Sequence, residues 1–257
     1  MYPEFFQLGD TTLYSYGVLI MIGTVAGYFY MASAAKRELH VDQSKIQNLV
    51  ILLIGGAFIG GKLFFYFEDP GFYFHPPSNM FVNFRTGFVF YGSLLFAVPL
   101  AIWYFRKEKW PLWSMLDHIA ITTLIVHFFG RVGCFLAGCC YGKETTMVWG
   151  VTFSHELSKA RPLHTSLHPS QLYEAFTLLV LFVGLLLFKK YKRFEGQLFI
   201  IYLVSYSVAR GFLELFRGDL RRGFVIDNVL SHSQFISLII ISIALLLYRK
   251  RRSGAKN

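Results

Sequence analysis

Seven apolar segments, each about long enough to cross a lipid bilayer, dominate this 257-residue chain. The hydrocarbon core of a bilayer is spanned by roughly 20 apolar residues of α-helix, and only helices or closed barrels satisfy all their backbone polar groups there. The segments therefore predict an all-α polytopic membrane protein whose residues 1–257 form a single membrane domain. The seven predicted helices cover residues 13–35, 46–67, 88–105, 112–130, 171–188, 197–216 and 232–248.

The composition agrees with a membrane protein and argues against a protein that binds nucleic acid. Hydrophobic residues make up 54% of the chain and charged residues only 16%, which is too apolar for an ordinary soluble domain. The net charge of +10 comes from short basic clusters between the apolar segments rather than from one basic face. The expected partners are therefore membrane lipids and not nucleic acid.

The basic residues between the segments predict how the chain crosses the membrane. Cytoplasmic loops of membrane proteins carry an excess of Lys and Arg. Alternate loops here carry most of the basic residues, whereas the opposite loops carry acids such as Glu4, Glu68 and Asp69. We therefore expect the N-terminus outside and the C-terminus in the cytoplasm. The basic residues of the predicted cytoplasmic loops are Lys36, Arg37, Lys45, Arg106, Lys107, Lys109, Lys189, Lys190, Lys192, Arg193, Arg249, Lys250, Arg251, Arg252 and Lys256.

The longest predicted connection, residues 133–169, joins the fourth and fifth helices on the outer side. Residues 147–153 alternate loosely between apolar and polar side chains and predict a strand. Glycines and prolines interrupt the rest of the segment. We expect this connection to form a small extracytoplasmic cap.

Polar side chains inside or beside the predicted helices gather at the outer ends of six of them. They are Tyr14, Tyr16, Lys62, Tyr91, Arg131, His168, Gln171, Glu174, Arg210, Glu214 and Arg217. Four cations face only two acids, and arginine guanidinium groups match phosphate oxygens in pairs. A phospholipid head group is the most plentiful anion at a membrane surface, so the pattern predicts a site for a lipid phosphate.

The spacing in the sixth helix places three of these residues together. Arg210, Glu214 and Arg217 are four and three residues apart, which places them on one helical face. A simpler interpretation also remains open, in which Arg210 pairs with Glu214, Arg131 extends to the interface, and the tyrosines form an aromatic belt. That interpretation does not explain why the cations gather on the outer side.

Five segments of the chain combine glycine with charged or aromatic residues in a distinctive order. They are Tyr16-Gly17, Gly60 to Lys62, Gly130 to Gly138, His168 to Glu174, and Arg210 to Asp219. With these motifs the chain resembles the prolipoprotein diacylglyceryl transferases of bacterial cytoplasmic membranes. The resemblance spans essentially the whole chain, and the run His-Pro-Ser-Gln-Leu-Tyr-Glu is its most specific part.

This resemblance implies a reaction in the inner membrane that needs no cofactor and no metal. The diacylglyceryl group of phosphatidylglycerol would pass to the lipobox cysteine thiol of a prolipoprotein signal peptide, the first step of bacterial lipoprotein modification. Arginines would stabilise the leaving glycerol phosphate. The catalytic residues would be Arg131, Arg217, Tyr91, Tyr16, Glu174 and His168. The residues that bind phosphatidylglycerol would be Arg131, Arg217, Arg210, Lys62 and Gly142.

Three positions depart from the family pattern. The family usually has histidine where Tyr91 stands, asparagine where Cys134 stands, and an acid where Cys139 stands. Three polar side chains expected from the family are therefore a phenol and two thiols in this chain.

The identity of the base that ionises the acceptor thiol is consequently open. Tyrosine has a pKa near 10, which makes Tyr91 a poor base at neutral pH, although it remains a good hydrogen-bond donor. His127, which lies four residues before Arg131, and His168 are alternative bases.

All three cysteines, Cys134, Cys139 and Cys140, lie in one short window, and four interpretations are open. They are inert buried thiols, a disulfide of Cys134 with Cys139 or Cys140, or reactive thiolates beside Arg131 that would suit a covalent lipid carrier. Metal ligation is the fourth, and the C-x4-C-C spacing argues against it because the usual C-x2-C pair is missing.

Two other functions are open besides that of a transferase. One is a non-catalytic or altered-acceptor phospholipid-binding protein that kept the phosphate site and lost the base. The other is a small-anion transporter, for which internal repeats are expected. The sequence shows no such repeat.

Overall fold

The computed structural model describes residues 2–8, 11–76, 78–82, 84, 87–218, 223–226 and 229–254. Asp219, at the end of the last family motif, lies outside the described residues. The helices are α1 (Ser15–Leu39), α2 (Gln43–Glu68), α3 (Pro70–Phe74), α4 (Ser78–Val82), α5 (Phe90–Lys107), α6 (Leu112–Ala137), α7 (Ser170–Phe188), α8 (Gln197–Leu213) and α9 (His232–Gly254). The strands are β1 (Glu4–Leu8), β2 (Thr11–Tyr14), β3 (Val151–Thr152), β4 (Ser166–Leu167), β5 (Phe224–Ile226) and β6 (Leu230–Ser231), and they form three two-stranded antiparallel hairpins.

Six helices of the described chain are long and apolar enough to cross a membrane, namely α1, α2, α6, α7, α8 and α9. This confirms the prediction of an all-α multi-pass membrane protein. The predicted third span corresponds to α5, which is less apolar because its 18 residues include Pro99 in the interior and Arg106 and Lys107 in the last turn. The predicted count of seven spans is therefore not confirmed.

The chain divides into two compact units, which are described separately. The first contains residues 1–31 and 116–257, and the second contains residues 32–115. The core of the first unit lies where α6, α7 and α8 pack together through apolar side chains that are at most 3% exposed. These side chains are Ile121, Leu124, Leu178, Leu185 and Leu198.

In the first unit, α6 is longer than predicted. The predicted helix ends at residue 130, whereas α6 continues to Ala137 and stops before Gly138, whose φ of 74° favours glycine. Arg131 and Cys134 therefore lie on the last turns of a helix rather than in the loop after it. The helical backbone fixes the direction of both side chains.

The connection between α6 and α7 has a small core of its own. Phe153, Ala160 and Leu167 are almost completely buried in it, and β3 pairs with β4. The predicted strand over residues 147–153 is wrong in extent, because the backbone turns at residues 147–149 and the N–H of Gly150 donates to the carbonyl of Met147 at 2.8 Å. The connection is thus a folded segment, although its position outside the membrane stays a prediction.

The end of α8 also departs from the sequence-based expectation. A short 3-10 turn, Glu214–Phe216, follows Leu213, and Arg217 is extended with φ −67° and ψ 133°. The spacing predicts that Arg217 shares a helical face with Arg210 and Glu214. Because Arg217 lies after the helical turn, that prediction is wrong. The helical backbone ends at Phe216, and the chain changes direction at Arg217.

In the second unit, α2 and α5 pack closely through glycines. A Cβ atom added to Gly61 would lie 2.7 Å from Oγ of Ser93, and one added to Gly92 would lie 2.6 Å from the Phe64 side chain. Real Cβ atoms do not approach neighbours so closely, so small residues are needed where these helices cross. Helix packing accounts for Gly61 without any ligand.

Candidate active site

Arg131, on the last turns of α6, is held by an acid from α7. Its Nη2 atom lies 3.0 Å from Oε1 of Glu174, and both side chains are largely buried. An unpaired buried charge costs several kcal/mol, whereas a close and hydrogen-bonded pair offsets that cost. The pair therefore explains how both charges are tolerated between apolar helices.

Two more side chains complete this network. The hydroxyl of Tyr206 on α8 donates to Oε1 of Glu174 at 2.7 Å, and Nε of Arg131 donates to Nε2 of His127 at 3.3 Å. Because Nε2 of His127 accepts this bond, its lone pair is already used. The geometry argues against His127 as the base of the reaction.

Sequence reasoning did not identify Tyr206. The residue lies within an apolar helix, where a tyrosine alone is not informative. One signal was present, since Tyr206 precedes Arg210 by four residues and so lies on the helical face that leads to the charged end of α8. Tyr202 stacks on Tyr206, with ring centroids 6.0 Å apart and planes inclined by 12°.

Arg210 forms a second ion pair near the end of α8. Its Nη1 atom lies 2.7 Å from Oε2 of Glu214, and Glu214 is buried. The pair agrees with the simpler interpretation of these two residues. Arg210 thus supports the local structure next to Arg217 through Glu214.

Arg217 is brought to the first unit's site by backbone pairing with the segment after the cysteines. Gly142 and Arg217 form an antiparallel bridge, the N–H of Lys143 donates to the carbonyl of Phe216 at 2.9 Å, and the N–H of Gly218 donates to the carbonyl of Tyr141 at 3.1 Å. The Arg217 side chain is 9% exposed. Backbone hydrogen bonds at Phe216 and Gly218, the residues before and after Arg217, therefore hold the backbone of Arg217 in place.

Gly142 lies at the centre of this crossing. Its N–H donates to the carbonyl of His168 at 2.9 Å. An added Cβ atom would lie 2.6 Å from that carbonyl oxygen and 2.7 Å from the carbonyl oxygen of Phe216. Gly142 is required because three backbone segments meet there, and no side chain fits between them.

His168 belongs to an aromatic group at the start of α7. Its Nδ1 atom lies 3.0 Å from the hydroxyl of Tyr173, which also accepts a hydrogen bond of 3.0 Å from Nε1 of Trp149. The rings of His168 and Phe216 lie 5.5 Å apart, edge to face. These side chains line one end of an open, mainly apolar groove of about 610 Å³, whose other walls include Phe176 and Phe212.

The three cysteines predicted as a group are together in space. The Sγ atoms of Cys134, Cys139 and Cys140 all lie within 4.8 Å of one another, and each side chain is partly buried. The N–H of Cys139 donates to the carbonyl of Cys134 at 3.1 Å, which folds the chain back at the end of α6. The structure holds them as three separate thiols.

Two buried polar side chains of α7 clamp the backbone of this turn. Nε2 of Gln171 donates to the carbonyl of Cys139, and Oγ of Ser170 donates to the carbonyl of Cys140, both at 2.8 Å. Hydrogen bonds from Cys134 and Cys139 lower the pKa of the Cys140 thiol below its usual range, and the positive charges of Arg217 and Arg131 add to this effect. Cys140 therefore lies within electrostatic range of both arginines.

Tyr16 lies at the start of α1, against α6. A Cβ atom added to Gly133 would lie 3.1 Å from Cδ2 of Tyr16, so the glycine lets the two helices approach. The phenol interacts electrostatically with Arg131 and with the cysteine thiols. Among the sequence-predicted site residues, the structure therefore places Tyr16 with Arg131 in the first unit.

Lys62 and Tyr91 belong to the second unit. Nζ of Lys62 donates to the carbonyl of Gly87 at 3.0 Å and lies 5.4 Å from the ring centroids of Phe65 and Phe84. Tyr91 lies at the start of α5 and is 62% exposed. The phenol of Tyr91 is accessible to a ligand, whereas the Lys62 ammonium has local protein partners.

Fold and site together define a multi-pass membrane protein with a partly buried cationic site at the ends of α6 and α8. The family model described as prolipoprotein diacylglyceryl transferase matches residues 3–249. The chain therefore belongs to the prolipoprotein diacylglyceryl transferase family, as the motifs indicated, and is a transferase.

Curated relatives agree over nearly the full length. A phosphatidylglycerol--prolipoprotein diacylglyceryl transferase of Clostridium tetani is 34% identical over 96% of this chain and 97% of its own length. The corresponding transferase 2 of Clostridium perfringens is 33% identical over 92% of this chain and 90% of its own length. A transferase of the same name from Geobacter sulfurreducens is 30% identical over 97% of this chain and 96% of its own length.

Proposed function

We propose that this chain transfers the diacylglyceryl group of phosphatidylglycerol to the lipobox cysteine thiol of prolipoproteins. The names of its relatives state this activity for them. One observation in this structure carries the proposal most directly: Arg131 and Arg217 both lie within electrostatic range of Cys140, at the meeting point of α6, α7 and the segment after α8. Two arginines near one another invite an anion, and a lipid phosphate supplies it.

The charge distribution suits binding of the lipid phosphate. Glu174 pairs with Arg131, and Glu214 pairs with Arg210, so the two acids are already engaged. A phosphate diester that approaches Arg131 and Arg217 gains charge-assisted hydrogen bonds without displacing either pair. The apolar groove lined by Phe176 and Phe212 is a candidate surface for an acyl chain or an apolar signal peptide.

The same arginines suit the chemical step. When the acceptor sulfur attacks the glycerol carbon that bears the phosphate ester, the carbon–oxygen bond breaks and negative charge builds on the departing glycerol phosphate. Preorganised guanidinium groups stabilise that charge more strongly in the transition state than in the bound lipid. Arg131 and Arg217 are the catalytic residues in this scheme, with Glu174 holding Arg131 in position.

The remaining residues predicted from the family take supporting roles. Tyr16 donates a hydrogen bond to a lipid oxygen. Tyr91 and Lys62, which belong to the second unit, remain lipid-binding residues predicted from the family resemblance. His168 positions the aromatic group with Tyr173. The local backbone around Arg217 is maintained by Arg210, Gly142 and Glu214.

The membrane arrangement belongs to the same proposal. Alternation of basic loops supports seven crossings, in which α5 also spans the bilayer, with the N-terminus outside and the C-terminus in the cytoplasm. The folded connection between α6 and α7 then forms an extracytoplasmic cap. The location is the bacterial inner membrane, where phosphatidylglycerol and signal peptides are both accessible.

The experiment is a reconstituted transfer assay. The purified full chain is placed in phosphatidylglycerol vesicles with a lipobox peptide, and mass spectrometry monitors the thioether-linked diacylglyceryl product. Arg131→Lys keeps a positive charge but loses the guanidinium fork, and we expect the rate to fall about 100-fold. The matched control is Arg193→Lys, at an exposed position outside the site.

Product formation that depends on Arg131 but not on Arg193 supports the proposal. Lipid binding without product, by protein shown to be folded, contradicts it and indicates the non-catalytic phospholipid-binding alternative instead.

A further inference from the structure

The three cysteines form the only group of three or more potential metal-ligating His, Cys, Asp and Glu side chains that converge within the described residues. Their Sγ atoms lie within 4.8 Å of one another. A tetrahedral zinc ion bound at about 2.3 Å from each sulfur separates the sulfurs by about 3.8 Å. The sulfurs would therefore have to approach one another by at most about 1 Å to hold a zinc ion.

The backbone that carries these thiols is held firmly. Cys134 lies on α6, Gln171 fixes the carbonyl of Cys139, and Ser170 fixes the carbonyl of Cys140. Cys140 adopts a positive φ of 59°, a conformation that non-glycine residues rarely take. A rigid turn that presents three sulfur atoms toward one point lowers the entropic cost of binding a soft metal ion.

The neighbouring arginines do not oppose a metal here. Three thiolates and one Zn²⁺ carry a net charge of −1, and the positive charges of Arg131 and Arg217 stabilise that charge. Three thiolates without nitrogen or oxygen ligands favour thiophilic ions such as Zn²⁺. The disulfide interpretation leaves one sulfur unexplained, because a disulfide uses only two of the three thiols.

We propose that Cys134, Cys139 and Cys140 bind one zinc ion whose fourth coordination position receives the acceptor cysteine of the prolipoprotein. Catalytic zinc sites characteristically combine three protein ligands with one exchangeable position. The inference rests on the proposed function, since it supplies the activation of the acceptor thiol that Tyr91 is poorly suited to provide. It also gives the two thiols that depart from the family pattern a role in the same reaction.

The chemistry is balanced without an oxidant or reductant. The acceptor S–H bond is replaced by a sulfur–zinc bond, and the proton passes to water. A sulfur lone pair then attacks the glycerol carbon of phosphatidylglycerol, a carbon–sulfur bond forms, and the carbon–oxygen bond breaks. Its electron pair leaves on the phosphate of glycerol phosphate. The thioether product binds zinc more weakly than a thiolate does, so it dissociates and the coordination position reopens.

The test begins with metal content. The full chain is purified under reducing conditions, and its zinc content is measured by inductively coupled plasma mass spectrometry. In a second sample, Co²⁺ replaces zinc so that the site can be followed by absorption spectroscopy. We expect about one zinc per chain and a thiolate-to-cobalt charge-transfer band that changes when a lipobox peptide is added. Cys139→Ser and Cys140→Ser should each weaken zinc binding by more than about 10-fold. His155→Gln is the control, because His155 is exposed on the same connection.

Activity separates the zinc site from the proposed function. Zinc-free protein should bind phosphatidylglycerol normally, transfer the diacylglyceryl group more than about 10-fold more slowly, and regain activity when zinc is restored. Full transfer by zinc-free protein, or by protein with an intact Cys134–Cys139 disulfide, overturns the zinc site and leaves the proposed function standing. Zinc bound through the cysteines with no thioether formed under any condition refutes the proposed function and the catalytic part of this inference together.

Measurements of phosphatidylglycerol affinity and thermal unfolding identify cysteine variants that lose zinc because they do not fold. Serine nearly matches cysteine in size, so the variants should keep their phosphatidylglycerol affinity and the thermal stability of the zinc-free parent protein. Zinc content that is unchanged in the double variant Cys139→Ser, Cys140→Ser shows that the metal is bound elsewhere and contradicts the proposal.

Discussion

Nη2 of Arg131 and the hydroxyl of Tyr206 meet at the same carboxylate oxygen, Oε1 of Glu174, at 3.0 and 2.7 Å. Three helices, α6, α7 and α8, therefore converge on one oxygen atom. An ion pair with a second donor is a rigid arrangement, because movement of any helix lengthens at least one contact. Glu174 therefore holds the direction of Arg131, the arginine proposed to bind the lipid phosphate.

Replacing the acid tests this positioning role. Glu174→Gln keeps an acceptor oxygen for Tyr206 but removes the negative charge beside Arg131. We expect transfer to slow about 100-fold because the guanidinium is misplaced, and the protein to lose about 3 kcal/mol of stability because a buried charge loses its partner. Transfer assays and thermal unfolding in detergent measure the two effects.

The control for this acid is Glu195→Gln, since Glu195 is about half exposed and pairs with Lys192. Similar losses in both variants would show that any missing carboxylate disturbs the protein and would remove the special role of Glu174.

The hydroxyl of Tyr206 is expected to matter through Glu174 rather than through the lipid. Tyr206→Phe removes one hydrogen bond to a charged group, at a cost of about 2 kcal/mol. The rate should fall less than in Glu174→Gln, since the pair with Arg131 remains. Tyr202→Phe is a matched variant, because it removes the hydroxyl of the stacked neighbour and leaves the bond to Glu174 intact. Equal rates for the two variants would argue against the network.

Gly142 is predicted to tolerate no side chain. In Gly142→Ala the added Cβ atom would meet the carbonyl oxygens of His168 and Phe216 at 2.6 and 2.7 Å, so the segments that hold Arg217 must separate. We expect a stability loss of more than about 2 kcal/mol and reduced phosphatidylglycerol binding. Gly184→Ala, where no atom lies within 4 Å of the added carbon, should be neutral or stabilising by up to about 1 kcal/mol. Normal lipid binding by Gly142→Ala would contradict the backbone arrangement.

Substitutions at Tyr91 test whether its hydroxyl donates a hydrogen bond to the lipid. If it donates a hydrogen bond to the lipid, Tyr91→Phe should slow transfer about 10-fold, whereas Tyr91→His, which restores the residue usual in the family, should retain most of the activity. The comparison variant is Tyr191→Phe, whose ring is 72% exposed. An unchanged rate in Tyr91→Phe would remove Tyr91 from the reaction.

Much of the helical framework follows from hydropathy, because membrane spans are set by length and apolar composition. The ends of the helices were less predictable. Nothing in the local pattern distinguishes a helix that stops at residue 130 from one that continues to Ala137, since Gly130 and Gly138 are each compatible with a helix end. The extension matters because it places Arg131 and Cys134 on a helix.

The charged residues of the site were predictable one by one, whereas their partners were not. Arg131 and Glu174 lie 43 positions apart in the chain and on different helices, so only tertiary packing shows that they pair. Arg217 shows the opposite case, because its spacing from Glu214 predicts a shared helical face only if the helix continues. The 3-10 turn at Glu214 and the backbone bonds around Gly218 end that helix.

The cysteines illustrate a different limit. Their spacing argued against a metal because it matches no common zinc motif, yet the turn after α6 brings the three sulfur atoms together. Spacing rules describe familiar backbones, whereas ligand convergence depends on this particular turn and its two clamps from Gln171 and Ser170.

The most direct measurement uses phosphatidylglycerol labelled with one isotope in the diacylglyceryl group and another in the glycerol phosphate. The purified chain is incubated with this lipid and a lipobox peptide that has a single cysteine. We expect the first label to appear in a thioether on that cysteine, and free glycerol phosphate carrying the second label to be released in equal amount. Label in the peptide from the glycerol phosphate, or no labelled peptide from folded protein, would contradict it.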